Sequence, residues 1–354
     1  MAIRRTIRVP QPLLVEYADV FTEAALDALD ALSAFNAPQH ALMDARIARR
    51  TRRARRSEPI GFLAPDSLIE GTSIRVSDAR AGRFVGGEIP PDLTRQWLQG
   101  TGPAAKPNAS LESSIRNVAY ALLSGADGWM FDGEDALGQI GAMSLDNQRN
   151  LKLAIHRDPV FLQAAETVAG EMNGWAEGFL GRAIVDDWQA QLDFTTAIFR
   201  CRGLHLDDRH LRMADGSSFS ASITDLVLFV VNNQERLRRS GRSVVLYLPK
   251  IQTAEEAAFW NSMLVALETH LALEVGTIKV YMLVEQLEAT FQLMEIRAAF
   301  GEHFVGFNTG RWDYINSVSD ALAWDEGFIN PDIEAIGMTY GYMRNYEDRV
   351  RRAV

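Results

Sequence analysis

The chain has 354 residues, 47% hydrophobic and 23% charged, enough to bury one large core or two ordinary ones and too apolar for a disordered polymer. Thirty-six basic against 46 acidic residues leave a net charge of −10, which disfavours nucleic acid as a partner, because that binding trades on a basic surface. A single cysteine, Cys201, excludes an internal disulfide and any multi-cysteine zinc site, and the composition reads as cytoplasmic. No apolar run approaches the roughly 20 residues of a membrane-spanning helix, and the N-terminus MAIRRTIRVPQP lacks the apolar stretch of a secretory signal.

Residues 11–56 carry Leu13, Leu14, Tyr17, Val20, Phe21, Leu26, Leu29 and Leu32 at helical spacing. Seven arginines follow, at 46, 49, 50, 52, 53, 55 and 56; a solvated helix face is the expected reading, an anion or partner patch the alternative. Residues 57–93 read as loop-rich, so 1–93 forms an N-terminal helical and loop segment. Beyond it, short apolar runs alternate with longer amphipathic stretches. The runs are 95–98, 128–131, 196–201, 244–248, 277–284, 304–307 and 333–339, with helical patterns such as 255–273 and 287–300 between them. That alternation predicts an α/β fold with a parallel sheet, and about seven such strands over 94–354 suggest a TIM (β/α)8-type barrel.

In a barrel the chemistry sits past the C-terminal ends of the strands. Read in order, those ends carry Asp132-Gly133-Glu134-Asp135, then Cys201-Arg202, then Pro249-Lys250, then Glu285, then Asn308-Thr309-Gly310-Arg311-Trp312-Asp313. Carboxylates without histidine or thiolate suit a hard cation such as Mg²⁺, which Glu285 and Asp313 would be sufficient to hold. The glycine-bearing turn at 308–311 can offer backbone N–H groups to an anion. Single strand-end acids are also ordinary helix caps, so the signal lies in the succession of charged ends.

The segments Tyr247–Trp260, Gly276–Lys279, Leu283-Val284-Glu285 and Gly306–Ile315, with Arg202-Gly203-Leu204-His205 and Asp132–Ala136, closely resemble malate synthase of the A type, from about residue 25 onward. The resemblance implies a barrel that condenses glyoxylate with the enolate of acetyl-CoA. It implies Glu285 and Asp313 as Mg²⁺ ligands, Arg202 as the cation beside the enolate oxygen, and Asp132 and Glu134 near the metal waters. The backbone of Gly310, Arg311 and Trp312 would hold the glyoxylate carboxylate, and Lys250 would meet a CoA phosphate or a carboxylate, or else a structural ion pair. His205 and His210 are expected to be structural, Cys201 a small buried hydrophobe, Trp312 packed under the metal loop, and Arg349, Arg351 and Arg352 an exposed helix end.

The pattern departs from the family in several places. The helical C-terminal domain with its aspartate base is expected to be absent, and no eighth strand is legible. A partner chain, a homo-oligomer, or the N-terminal alternation of Ile3, Ile7 and Val9 would then close the barrel. Gly133, Gln286, Gln139, Asp207, Glu288, Phe307 and Asn316 replace usual family residues, with Gly133 leaving room for a larger 2-oxo acid. An aldolase or lyase of the malyl-CoA or citrate-lyase-like kind, without thioester hydrolysis, or one subunit of a split enzyme are the rival expectations.

Overall fold

The computed structural model describes residues 5–96, 99–102, 106–137 and 140–354. They form two compact units, one of residues 1–33, 89–202 and 206–247, the other of 34–88, 203–205 and 248–354.

In the first unit, strands β1 (Ile7–Arg8), β2 (Gln99–Thr101), β3 (Gly128–Asp132), β4 (Thr196–Arg200), β5 (Asp207–Met213), β6 (Ser218–Ser220) and β7 (Val244–Leu248) make two sheets. β2, β3, β4 and β7 run parallel in that order, with Asp132 beside Arg200 and Arg200 beside Tyr247. β4 and β7 are buried at every residue, as strands covered on both faces must be, which is why β7 reads as an unbroken apolar run and β4 as an apolar core between Thr196 and Arg200. The helix Ala221–Arg239 starts where the Ser220 side chain accepts from the Ile223 N–H, and its Phe229 ring stacks on Phe199 of β4 at 4.9 Å.

The second unit contains parallel strands β8 (Ile278–Val284) and β9 (Phe304–Thr309). All seven residues of β8 are buried. The helix Ala254–His270 is capped by Thr253 and buries Trp260, Met263, Leu264 and Leu267. The helices Asn36–Arg56, Val76–Arg80, Leu293–Phe300, Arg311–Ala321 and Gly341–Ala353 also belong to this unit. Among the described residues, no helix is long and apolar enough to cross a membrane.

The helical reading of 11–56 holds, broken into Gln11–Glu16, Glu23–Leu32 and Asn36–Arg56. Five expected strands, 128–131, 196–201, 244–248, 277–284 and 304–307, are present within one or two residues of their expected ends.

Two are not where the pattern put them. Of the run 95–98, Arg95 instead ends the helical turn Pro91–Thr94 that Pro90 and Pro91 start, and Trp97 and Leu98 lie outside the described residues; the strand described next to it is Gln99–Thr101. Residues 333–339 are not a strand: the Asp332 side chain caps Glu334 and turns Ile333–Ala335 into a 3₁₀ turn. Ile7 does not extend the parallel strands either. It pairs antiparallel with Met213 of β5, while Ile3 and Gln139 lie outside the described residues.

The arginine run is neither a free patch nor a simply solvated face. Arg46 and Arg49 meet the fully buried Glu256 at 3.5 and 3.4 Å, Arg53 bonds Glu288, and Arg50 bonds Asp320. Arg52 and Arg56 share the more exposed Glu58. Arg349 is also no exposed end: it donates to Thr290 O at 3.1 Å and covers the Phe62 and Phe291 rings. Arg351 and Arg352 are exposed as expected.

Candidate active site

In the second unit Lys250, Glu285 and Asp313 come together. Glu285 follows β8 directly and is fully buried. Its Oε1 accepts the Lys250 backbone N–H at 2.7 Å, and its Oε2 lies 3.4 Å from Lys250 Nζ. The same ammonium donates to Asp313 Oδ2 at 2.6 Å, with the Lys250 side chain 15% and the Asp313 side chain 38% exposed. Lys250 adopts a left-handed backbone, φ 58°, which a side chain makes uncommon. Its backbone is fixed from both ends, since the Lys250 carbonyl accepts from Arg46 Nη1 at 2.8 Å.

Asp313 sits in the first turn of the helix Arg311–Ala321, where the helix dipole favours a negative charge. Gly310 precedes that helix, and a Cβ there would stand 2.9 Å from Glu285 Cβ and 3.2 Å from its Oε2; the glycine lets the chain pass against the buried carboxylate. The Gly310 N–H donates to Tyr346 Oη at 2.9 Å, while the Tyr346 hydroxyl donates to Val284 O. The Tyr346 ring stacks on Tyr314 at 3.8 Å. The helix Gly341–Ala353 thus supports both β8 and the turn after β9. Trp312 is not packed under this loop: it is 55% exposed, with the Arg311 guanidinium 4.5 Å from its ring centre. Arg311 also donates to Ile336 O.

The first unit holds a second polar assembly. Asp132, at the end of β3, accepts the backbone N–H groups of Glu134 and Asp135 at 2.8 and 3.1 Å on Oδ1 and that of Ala136 at 3.3 Å on Oδ2. It therefore caps the turn it begins. Arg200, at the end of β4, binds Asp132 at 3.4 Å, Glu134 at 3.0 Å and Asp135 at 2.7 Å.

Gly133 does not open space. Its N–H donates to Arg200 O at 2.9 Å, and a Cβ would stand 2.4 Å from that same oxygen, so the glycine is needed for close strand approach rather than for a larger substrate.

Arg202, 1% exposed, is held by two carboxylates. Asp225 Oδ2 accepts its backbone N–H at 2.8 Å and its Nε at 2.9 Å, and Asp225 Oδ1 and Asp208 Oδ2 accept Nη2 at 2.7 and 2.8 Å. Burial opposes the charge, but the Asp225 and Asp208 carboxylates outweigh it and hold the guanidinium pKa above its ordinary value.

Cys201, beside it, is fully buried, which pushes its thiol pKa well up. His210 donates from Nε2 to Gly141 O at 2.9 Å, a structural bond, and His205 is exposed.

Arg200, Asp208, Asp225 and Tyr346 escaped the sequence reading. Asp225 had a usable signal: a lone acid inside the apolar helix run 221–231 requires a buried cation. Arg200 had one too, as a charged last residue of an apolar strand.

Among the described residues no three His, Cys, Asp or Glu side chains gather as a metal cage. Two carboxylates already converging on one cation do fit Mg²⁺, which is bound by one or two carboxylates and keeps water for the rest.

Parallel strands alternating with helices, with ionised side chains just past the strand ends, define an α/β barrel-type protein. Residues 196–353 match the family model of the malate synthase TIM barrel domain. The chain is 30% identical over 345 residues to malate synthase of Streptomyces clavuligerus, covering 97% of this chain and 58% of that protein. It is 30% identical over 282 residues to malate synthase A of Escherichia coli, covering 80% and 46%. With the bifunctional glyoxylate cycle protein of Caenorhabditis elegans it shares 34% identity over 268 residues, 76% of this chain and 25% of that one. By these matches the chain is similar to malate synthases, and it spans at most 58% of the length of these relatives.

Proposed function

We propose that the chain takes part in joining a 2-oxo acid, glyoxylate in the first instance, to the enolate of an acyl-CoA, acetyl-CoA in the first instance, to give a 2-hydroxy acid. The observation that carries this reading is the meeting of Lys250, Glu285 and Asp313 past the strand ends within the segment that matches the family. Glu285 and Asp313 would hold Mg²⁺, which when bound supplies a Lewis acid for the 2-oxo group. Arg202 acts as a fixed donor: two carboxylates lock its orientation, so that its charge meets an oxygen that gains charge at low reorganisation cost. The uncapped N-terminus of the helix Arg311–Ala321 offers the N–H groups of Arg311 and Trp312 to the carboxylate of the 2-oxo acid, the Gly310 N–H being committed to Tyr346.

The test is turnover of glyoxylate with acetyl-CoA by the purified chain in Mg²⁺, following malate and free thiol together. Both products are expected, with loss of more than about a hundredfold in E285Q and R202M. Formation of malyl-CoA without free thiol would move the chain to the lyase reading. Activity unchanged in E285Q would remove Glu285 from the site.

A further inference from the structure

We propose that Lys250 is a built-in counter-cation that holds Glu285 and Asp313 together until a divalent cation enters and displaces its ammonium. The inference rests on the metal reading above and adds what that reading lacks, the group that occupies the carboxylates beforehand.

Glu285 is fully buried, and a buried carboxylate must be neutralised or paired. Asp313 brings a second negative charge to the same cation. The Lys250 ammonium answers both, at 3.4 and 2.6 Å. Its placement is built in rather than a chance reach of a long side chain. The Lys250 N–H binds the other oxygen of Glu285, Arg46 binds the Lys250 carbonyl, and the backbone between is held in the left-handed region. Such conformations persist only where the surroundings impose them.

A divalent cation needs the same carboxylate oxygens that the ammonium now uses, so its binding is an exchange of one cation for another. The ammonium, 15% exposed, is then released on a tether whose backbone stays fixed, free to meet an anionic group of a substrate.

Isothermal titration with Mn²⁺, backed by its electron paramagnetic resonance signal, measures the exchange directly without activity. K250G keeps the N–H to Glu285 and suits the positive φ, while K250R keeps the charge. The Mn²⁺ Kd of K250G is expected to fall about tenfold below wild type, the worth of one charge-assisted hydrogen bond, and that of K250R to stay near it. Equal Kd values for wild type and K250G overturn the proposal. If neither binds Mn²⁺, the carboxylate metal site itself is wrong and the proposal falls with it. A second measurement needs no variant: amine acetylation of wild type, read by mass spectrometry, is expected to rise at Lys250 when saturating Mg²⁺ is added. Labelling that stays constant or falls overturns the displacement.

Discussion

Replacing Asp225 by asparagine tests the buried charge assembly around Arg202. The Asp225 carboxylate accepts three donors from one residue, at 2.7, 2.8 and 2.9 Å, and both partners are essentially without solvent. Asparagine keeps the shape and one acceptor oxygen, but turns an N–H₂ group toward a guanidinium nitrogen and deletes the charge. Asp208 still compensates part of the guanidinium through its 2.8 Å bond. Breaking a buried pair outright costs about 3–5 kcal/mol, and the surviving carboxylate puts D225N at the lower end, about 3 kcal/mol. That corresponds to a fall in Tm of about 6–12 °C for a unit of this size. Urea denaturation followed by circular dichroism measures it. In a cycle with R202M, the two losses should fail to add by about 2 kcal/mol, because each variant removes the same interaction. A D225N loss below about 1 kcal/mol, or additive losses in the cycle, would refute the argument that these groups act as one assembly.

Three further outcomes follow from the same geometry. G133A forces a methyl to 2.4 Å from Arg200 O, a backbone atom that cannot swing aside, and is expected to lower stability by about 2–3 kcal/mol in thermal denaturation, with no gain of activity toward larger 2-oxo acids. Y346F removes the hydroxyl between Gly310 N and Val284 O; a loss of about 1–2 kcal/mol is expected by urea titration, and a wild-type midpoint would contradict its structural role. Burial pushes the Tyr314 hydroxyl up to about 12, with Thr290 acting against the rise, so above the ordinary tyrosine range the unfolded chain loses this proton first. Its contribution is complete below pH 10 and is lost as pH rises toward 12, at about 1.4 kcal/mol per unit. Y314F should show a correspondingly shallower alkaline loss in denaturation midpoints between those values.

Strand positions were legible where burial on both faces leaves a mostly apolar run, unbroken in β7 and interrupted only by Lys279 in β8 and by the terminal Thr196 and Arg200 in β4. Hydrophobicity alone misled at 333–339, because Asp332 caps a turn there, and at Arg95, because paired prolines start a helical turn that ends on it. The site residues Lys250, Glu285 and Asp313 could be picked out as charges after strands, and the family motifs named them. Their meeting could not be read: residues 35 and 63 positions from Lys250 touch it only because parallel strands bring their C-terminal ends to one side. The arginine run illustrates the same limit. Its charge was plain in the sequence, but its partners Glu256, Glu288 and Asp320 lie more than 200 residues away, and only folding converts a basic stretch into ion pairs. Gly133 reverses the usual expectation for a missing side chain. A sequence records that no Cβ is present, while the tertiary structure decides whether that leaves a space or, as here, admits another strand's carbonyl. Local patterning thus determined the elements and the chemical types available. The pairing of buried charges, which depends on contacts distant in the chain and on the exclusion of water, was decided by the tertiary structure alone.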